Sequence, residues 1–465
     1  MTPRPPAVSA NGMVATSQPP ATRAGLRALE RGGNAADAAL AAAAVLCVAE
    51  PMSTGIGGDA FAIVWRDGKA EGLDAAGPAP ASADSMSPVE ELGPRSVTVP
   101  GAVAGWAALA ERHGRLGLDD CLADAIDAAE GGAEAAPRMA ASWARLGGPL
   151  GPAPQAGQTF RLPELGATLR AIAERGPDAL YRGPAAEAIA AASWLELEDL
   201  AGYAPRWVEP LRIVYRGVEV LELPPPTQGV AALEGLGLLA LGEPTLTARV
   251  ECVRLALDDA LERVRDGADV SGLLDPAYLT RRRAESATAT ELPGGTVYLC
   301  AVDSDGMAVS FIQSLYDPFG SGLVAEGTGV VLQNRGACFA VGGRVEPGRR
   351  PFHTIIPGLL LRDGGLWGPF GNMGGFVQAQ AHVQLVSHLV DEGLDPQAAL
   401  EAPRFRVEGE TVELEEGLWE RAGEIQGAVR ETNTARFGGG QIILVEGETL
   451  LGGSDPRKDG YAGGL

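Results

Sequence analysis

The sequence predicts a layered α/β (α+β) fold, on three observations. Segments of helical periodicity and segments of strand alternation succeed one another along all 465 residues. The strand runs are joined by tight Asp-Gly and Gly-Gly turns of the kind that close antiparallel hairpins. Hydrophobic residues make up 46% of the chain, ample for a large core, and the 64 glycines and 34 prolines imply many turns and backbone-lined surfaces. By length alone the chain has room for about two to three domains of about 150 residues, although layered folds often run longer as one unit.

From the amino-terminal end, Gly12 to Ser17 reads as a strand and Ala21 to Arg31 as a helix stopped by Gly32-Gly33. Asn34 caps the next helix, which ends near Glu50-Pro51. Its alanine-rich run, Ala35 to Ala49, is interrupted by Asp37 and is too weakly apolar for a bilayer span, so it is expected to be a buried helix. Gly55-Ile56-Gly57-Gly58-Asp59 precedes the strand Ala60 to Trp65, whereas nucleotide loops follow a strand and open a helix, so a tight packing turn is the better reading. Gly101 to Arg182 is mostly helical around a loop from Gly147 to Gly157. Val208 to Leu223 forms a strand pair about Tyr215-Arg216-Gly217, and Arg249 to Arg265 is a helix. Arg281 to Glu291 is the best linker in the protein.

After the linker, Thr296 to Val302 and Met307 to Leu315 form a hairpin about Asp303-Ser304-Asp305-Gly306. Folding it places Gln313 or Ser314 across from Thr296, within the roughly 5 Å of cross-strand neighbours. A further strand from Thr354 to Leu361, the turn at Asp363-Gly364, the loop Gly371 to Gly375 and a helix from Val377 to Asp391 complete the pattern.

Composition excludes several functions. With 37 basic and 60 acidic residues the net charge is −23, which disfavours nucleic acid and anionic membranes as partners. Met1 to Asn11 lacks a basic stretch followed by an apolar one, so a cytoplasmic protein is expected. The five scattered cysteines suggest reduced core thiols, and the four histidines fall in no ligand spacing, so neither metal nor cofactor is expected. His382 and His388, on a helix, read as structural. Serines and histidines are present, yet there is no Gly-x-Ser-x-Gly nucleophile elbow.

Chemistry points instead to Thr296. Gly294 and Gly295 place a strain-tolerant joint directly before a buried strand, where a hydroxyl can attack its own backbone. If the Gly295–Thr296 bond is cut, Thr296 becomes an amino terminus whose α-amine serves as base for its own hydroxyl. Gly374-Gly375, in a loop before a helix, can aim successive N–H groups at one point, as an oxyanion hole requires.

These residues sit within a set of blocks that resembles the γ-glutamyltransferase (γ-glutamyltranspeptidase) family of N-terminal-nucleophile hydrolases over nearly the whole chain. The blocks include Gly32 to Ala39, Pro51 to Gly58, Val99 to Trp106, Pro225 to Gly229, Thr296 to Asp303, Phe319 to Gly322, Pro347 to Pro351, Met373 to Gly375 and Ala402 to Arg404. The resemblance implies a four-layer αββα sandwich, self-cleaved into a large fragment, 1–295, and a catalytic small fragment, 296–465, that stay together as one domain. A higher oligomer is left open. It implies Thr296 as nucleophile, Ser314 as the neighbouring hydroxyl, Gly374 and Gly375 as oxyanion donors, and a small-molecule amide of γ-glutamyl, glutathione or related type as substrate.

The substrate pocket departs from the pattern. Asp74 stands at the position of the glutamyl-binding arginine, Tyr316 and Cys338 at those of an asparagine and an aspartate, and His353-Thr354 at that of two serines. A carboxylate at Asp74 is expected to repel an acyl group bearing its own carboxylate, with Arg335 as the nearest compensating cation. The expected activity is an amidohydrolase or acyltransferase whose acyl group need not be glutamyl. The alternative is a catalytically silent relative acting as a binding or scaffold protein, which the altered pocket and a short stretch from Leu241 to Glu291 would permit, and which would have no need of Thr296, Ser314 and the glycine pair.

Overall fold

The strand Gly295–Asp303 sends Val297, Leu299 and Ala301 into one apolar cluster and Tyr298, Cys300 and Val302 into another. A strand buried on both faces belongs to a sheet covered on both faces, and the computed structural model, which describes residues 4–285 and 295–465, has that architecture. Residues 286–294, with much of the expected linker Arg281 to Glu291 and Pro293-Gly294 of the joint, lie outside the described residues.

Two seven-stranded sheets face each other. In one, Tyr461–Gly464, Gly12–Thr16, Gly295–Asp303, Ala308–Tyr316, Asp59–Arg66, Lys69–Ala75 and Arg206–Val208 lie side by side, antiparallel throughout. The other runs Ala7–Ser9, Thr449–Ser454, Gly439–Glu446, Gly365–Met373, Gly358–Arg362, Val218–Glu222 and Leu211–Tyr215. Met13, Phe61, Tyr298 and Ile312 of the first pack on Leu221, Leu359 and Ile443 of the second. Helices Pro19–Glu30, Ala35–Ala49, Ala102–His113 and Leu118–Gly131 cover the first sheet, and Gly229–Ala240, Leu246–Arg263 and Val377–Asp391 cover the second. The result is the four-layer αββα sandwich.

The helix Ala35–Ala49 is buried along its whole length. Its first turn is fixed by a reciprocal cap: the Asn34 side chain accepts from the Ala36 and Asp37 N–H groups, and Asp37 Oδ2 accepts from the Asn34 N–H at 2.8 Å. All five cysteines are buried and free. Among the described residues no helix is long and apolar enough to cross a membrane, and no three His, Cys, Asp or Glu side chains are grouped to hold a metal.

Two element boundaries differ from the sequence reading. The strand expected from Thr354 begins at Gly358, because His353 pairs in a short parallel bridge with Thr227 and its carbonyl accepts from the Gln228 N–H at 2.9 Å. Conversely, Gly371 and Asn372, expected in a loop, continue the strand Gly365–Met373. Gly371 is there for closeness: a Cβ would lie 2.4 Å from the Tyr298 ring.

Gly57 and Gly58 also serve close approach rather than a ligand. A Cβ at Gly58 would lie 2.2 Å from the Ser314 carbonyl oxygen and one at Gly57 2.1 Å from that of Val331. Gly58→Ala is therefore expected to cost about 1–3 kcal/mol by overpacking and to displace Ser314. A lowered thermal midpoint with reduced activity is the expected result; an unchanged midpoint would show that the turn yields freely.

Candidate active site

The hairpin that carries Thr296 is irregular at that residue. Gly295 pairs with Tyr316 and Val297 with Gln313, so Ser314 and Leu315 together oppose Thr296 in a β-bulge. Tyr316 absorbs the extra residue at φ 77, a left-handed conformation seldom adopted outside glycine. The bulge brings the hydroxyls together: Thr296 Oγ1 donates to Ser314 Oγ at 3.4 Å, and the Gln378 side-chain amide donates to Thr296 Oγ1 at 3.3 Å. Sequence reasoning named Thr296 and Ser314 but missed Gln378, whose only signal was its place in the first turn of the helix after Gly374-Gly375.

Ser314 Oγ also accepts from the Tyr316 N–H at 2.8 Å and from Arg335 Nη2 at 3.4 Å. Arg335 is fully buried. Its Nη1 donates to Thr354 Oγ1 at 3.0 Å and reaches Cys338 Sγ at 3.7 Å, and its guanidinium lies 4.4 Å from the Tyr316 ring centre. No carboxylate lies within ion-pair distance of it among the described residues, and its Nε is without a partner. Four of the expected substrate residues, Tyr316, Arg335, Cys338 and Thr354, thus form one cluster against Ser314. Burial raises the Cys338 thiol, which stays protonated, and the Tyr316 phenol rises for the same reason.

His353 faces elsewhere, with Nε2 3.0 Å from Asp59 Oδ2. Burial raises the Asp59 carboxyl to about 7, and burial together with the nearby Arg335 charge holds His353 well below its ordinary value. Asp59 Oδ1 accepts from the N–H groups of Gly77 and Gly101 and from Gln333, a structural hub beside the site.

Asp74 corrects the charge argument drawn from the sequence. It lies on Lys69–Ala75, three strands from Thr296, about 14 Å at strand spacing. Its carboxylate is ion-paired with Arg350, whose Nε donates to Asp266 at 3.0 Å. Burial pushes the Asp74 carboxyl up and Arg350 opposes it. The charged group adjoining the Ser314 hydroxyl is the cation Arg335.

A cleft of about 380 Å³ is lined by Thr296 and Gly374 together with Met52, Met139, Gly438 and Lys458. Gly374 and Gly375 have φ of 125° and 65°. Among the described residues no acceptor takes either N–H, and the carbonyls beside them are clamped. The Asn372 side-chain amide donates to the Met373 carbonyl at 2.9 Å, and in a trans peptide this turns the Gly374 N–H the opposite way. Gln228 Nε2 donates to the Gly375 carbonyl at 3.1 Å and the Thr354 carbonyl at 2.6 Å. Behind the clamp, Asn372 Oδ1 accepts from Arg404, which is paired with Asp455 at 2.7 Å, and the Asn372 N–H donates to His382 Nε2, whose Nδ1–H meets Glu222 at 2.6 Å. His382 is structural, as its helix position suggested.

The profile of the gamma-glutamyltranspeptidase family matches residues 21–465. The chain is 31% identical to the glutathione hydrolase-like YwrD proenzyme of Bacillus subtilis, over 96% of this chain and 97% of that one. It is 32% identical to the oxamate amidohydrolase proenzyme of Klebsiella pneumoniae, over 98% and 99%. The crystal structure of cephalosporin acylase from Bacillus halodurans superposes with a TM-score of 0.95 at 40% identity, covering 100% of this chain and 98% of that one.

The positive φ at Gly375 rules out proline as a probe of its N–H, but the carbonyl clamp can be tested. Asn372→Ala is expected to lower kcat roughly tenfold to a hundredfold with little change in KM, less than the 10²–10³ that deleting an oxyanion donor costs. An unaltered kcat in the folded variant would detach this loop from the chemistry.

Proposed function

The chain belongs to the gamma-glutamyltranspeptidase family, and on that premise we propose that it is a self-processing amidohydrolase with an amino-terminal threonine nucleophile. The observation that carries the reading is the bulge-centred cluster in which the Thr296 hydroxyl meets Ser314, Gln378 and the floor of the cleft. In processing, Thr296 Oγ1 adds to the Gly295 carbonyl carbon and the peptide C–N bond breaks. Water then cleaves the resulting ester, leaving a Gly295 carboxylate and a Thr296 amine. The names of the Bacillus and Klebsiella relatives, both proenzymes, support this order of events.

In turnover, the Thr296 α-amine takes the hydroxyl proton as Oγ1 bonds to the substrate carbonyl carbon. The oxyanion is met by the Gly374 and Gly375 N–H groups. The proton passes to the departing nitrogen as the C–N bond breaks, and water then releases the acyl group from Thr296. As Thr296 Oγ1 gives up its proton, the Ser314 hydroxyl, held in place by the donors Tyr316 and Arg335, turns its own O–H toward it and eases the negative charge.

The acyl group accepted is one that carries a carboxylate close to the scissile carbonyl. Arg335 is buried with no ion-paired carboxylate among the described residues, an arrangement that is costly, and a substrate anion there supplies a partner. The name of the Klebsiella relative fits, since oxamate is an amide with a carboxylate on its reacting carbonyl. Oxalyl, succinyl and glutaryl anilides are expected to exceed acetyl and butyryl anilides by about a hundredfold in kcat/KM, the scale of a charged hydrogen-bonded pair of a few kcal/mol. Thr296→Ala abolishes turnover of all of them, and Arg335→Gln removes the preference. A neutral acyl group used as well as the best carboxy-acyl group would contradict the role of Arg335.

A further inference from the structure

Arg335 is held from two directions, and both lead back to one carboxyl group. Its backbone opens the short helix Arg335–Gly342, and its guanidinium donates to the Thr354 hydroxyl. Asp59, the first residue of the strand Asp59–Arg66, is fully buried and pairs in register with Ser314, so it lies beside the residue whose hydroxyl Arg335 touches. Asp59 Oδ1 accepts from the side-chain amide of Gln333 at 2.9 Å, two residues before Arg335. Asp59 Oδ2 lies 3.0 Å from Nε2 of His353, one residue before Thr354. The same carboxyl therefore ties down the segment that carries the guanidinium and the segment that carries its hydroxyl partner.

The two arms differ in what else they reach. Gln333 also donates to Thr98 Oγ1 at 3.0 Å, and its N–H donates to the Gly57 carbonyl at 3.0 Å, contacts with surrounding loops rather than with the reacting groups. His353 begins a stretch whose next residues do touch them. The Thr354 carbonyl shares the Gln228 amide with Gly375, and the Ile356 N–H donates at 3.1 Å to Gln378, whose amide donates to Thr296 Oγ1. The His353 ring is fully buried and edge-on to Phe61, 4.6 Å between ring centres. Buried polar groups joined in this way hold the backbone around them in one arrangement, because leaving either partner unsatisfied costs its full desolvation.

We propose that Asp59, acting through Gln333 and His353, is the positioning residue that sets Arg335 for the acyl carboxylate, and so determines the preference for carboxy-acyl amides without touching substrate. This rests on the reading that Arg335 receives that carboxylate. A guanidinium tethered at both its backbone and its donor face presents its charge at one distance from Thr296. Freed at either end, it keeps its charge but loses the short, aligned contacts from which charged hydrogen bonds gain their strength.

The test cuts one arm at a time and reads the ratio of kcat/KM for the succinyl and butyryl anilides, which differ in a terminal carboxylate against a methyl group. Gln333→Met removes the donor at nearly constant volume, and the ratio is expected to fall roughly tenfold, the scale of one hydrogen bond to a charged group. His353→Leu is expected to lower the ratio by a similar factor and also to slow the butyryl anilide, through Gln228 and Gln378. His353→Gln, which returns an N–H to Asp59, is expected to recover the ratio. A purely structural part for Asp59 would lower both anilides together and leave the ratio where it was. Hydrogen exchange read by mass spectrometry follows the tether without substrate: faster exchange over residues 335–342 in Gln333→Met and His353→Leu, with the helix Ala35–Ala49 unaltered, is expected. An unchanged ratio in the folded variants, or exchange over 335–342 no faster than in the wild type, overturns the proposal. A wild-type ratio near one would instead overturn the acyl-carboxylate reading, with the exchange still deciding whether Asp59 holds Arg335.

Discussion

A hydroxyl at the start of a buried strand can react only where the sheet gives way, and the bulge opposite Thr296 is where it does. Two residues set against one push the Ser314 oxygen toward Thr296 and turn Tyr316 into a left-handed backbone conformation. Such a conformation costs on the order of 1–3 kcal/mol, and the surroundings hold it in place. Gly58 approaches the Ser314 carbonyl from the neighbouring loop, and Arg335 lies over the Tyr316 ring. The adjacent Gly371, pressed on Tyr298, brings the second sheet close enough for the strand Gly365–Met373 to deliver Gly374 to the same cleft.

Charge is arranged around that point in graded burial. Behind the glycine loop, Glu222, His382, Asn372, Arg404 and Asp455 are joined by hydrogen bonds into one chain, and such a network fixes backbone direction at the cost of desolvating several charges. Arg335, in the interior, has hydroxyl, thiol and aromatic neighbours but no ion pair among the described residues. Arg138 and Arg145, which also line the cleft, are exposed.

Much of this was legible in the chain. The β-branched and aromatic run before Asp303-Ser304-Asp305-Gly306 marked the hairpin, and Asn34 marked the capped helix. The glycine joint marked Thr296. What could not be read were facts of register and of distant pairing. The bulge hangs on a tyrosine at positive φ, which no turn chemistry announces. The ion pair of Asp74 with Arg350 joins residues 276 apart, so the sequence suggested a repulsive carboxylate where the fold neutralises it. Gln378 and the Asn372 clamp matter through contacts made only when the two sheets close.

The proposed chemistry of Thr296 requires that it become an amino terminus, and the mass of the purified protein tests that most directly. After incubation at neutral pH, intact-mass spectrometry is predicted to give two fragments that co-purify, the smaller beginning at Thr296, while Thr296→Ala gives one chain. A wild-type protein that remains a single polypeptide with Thr296 internal would contradict it.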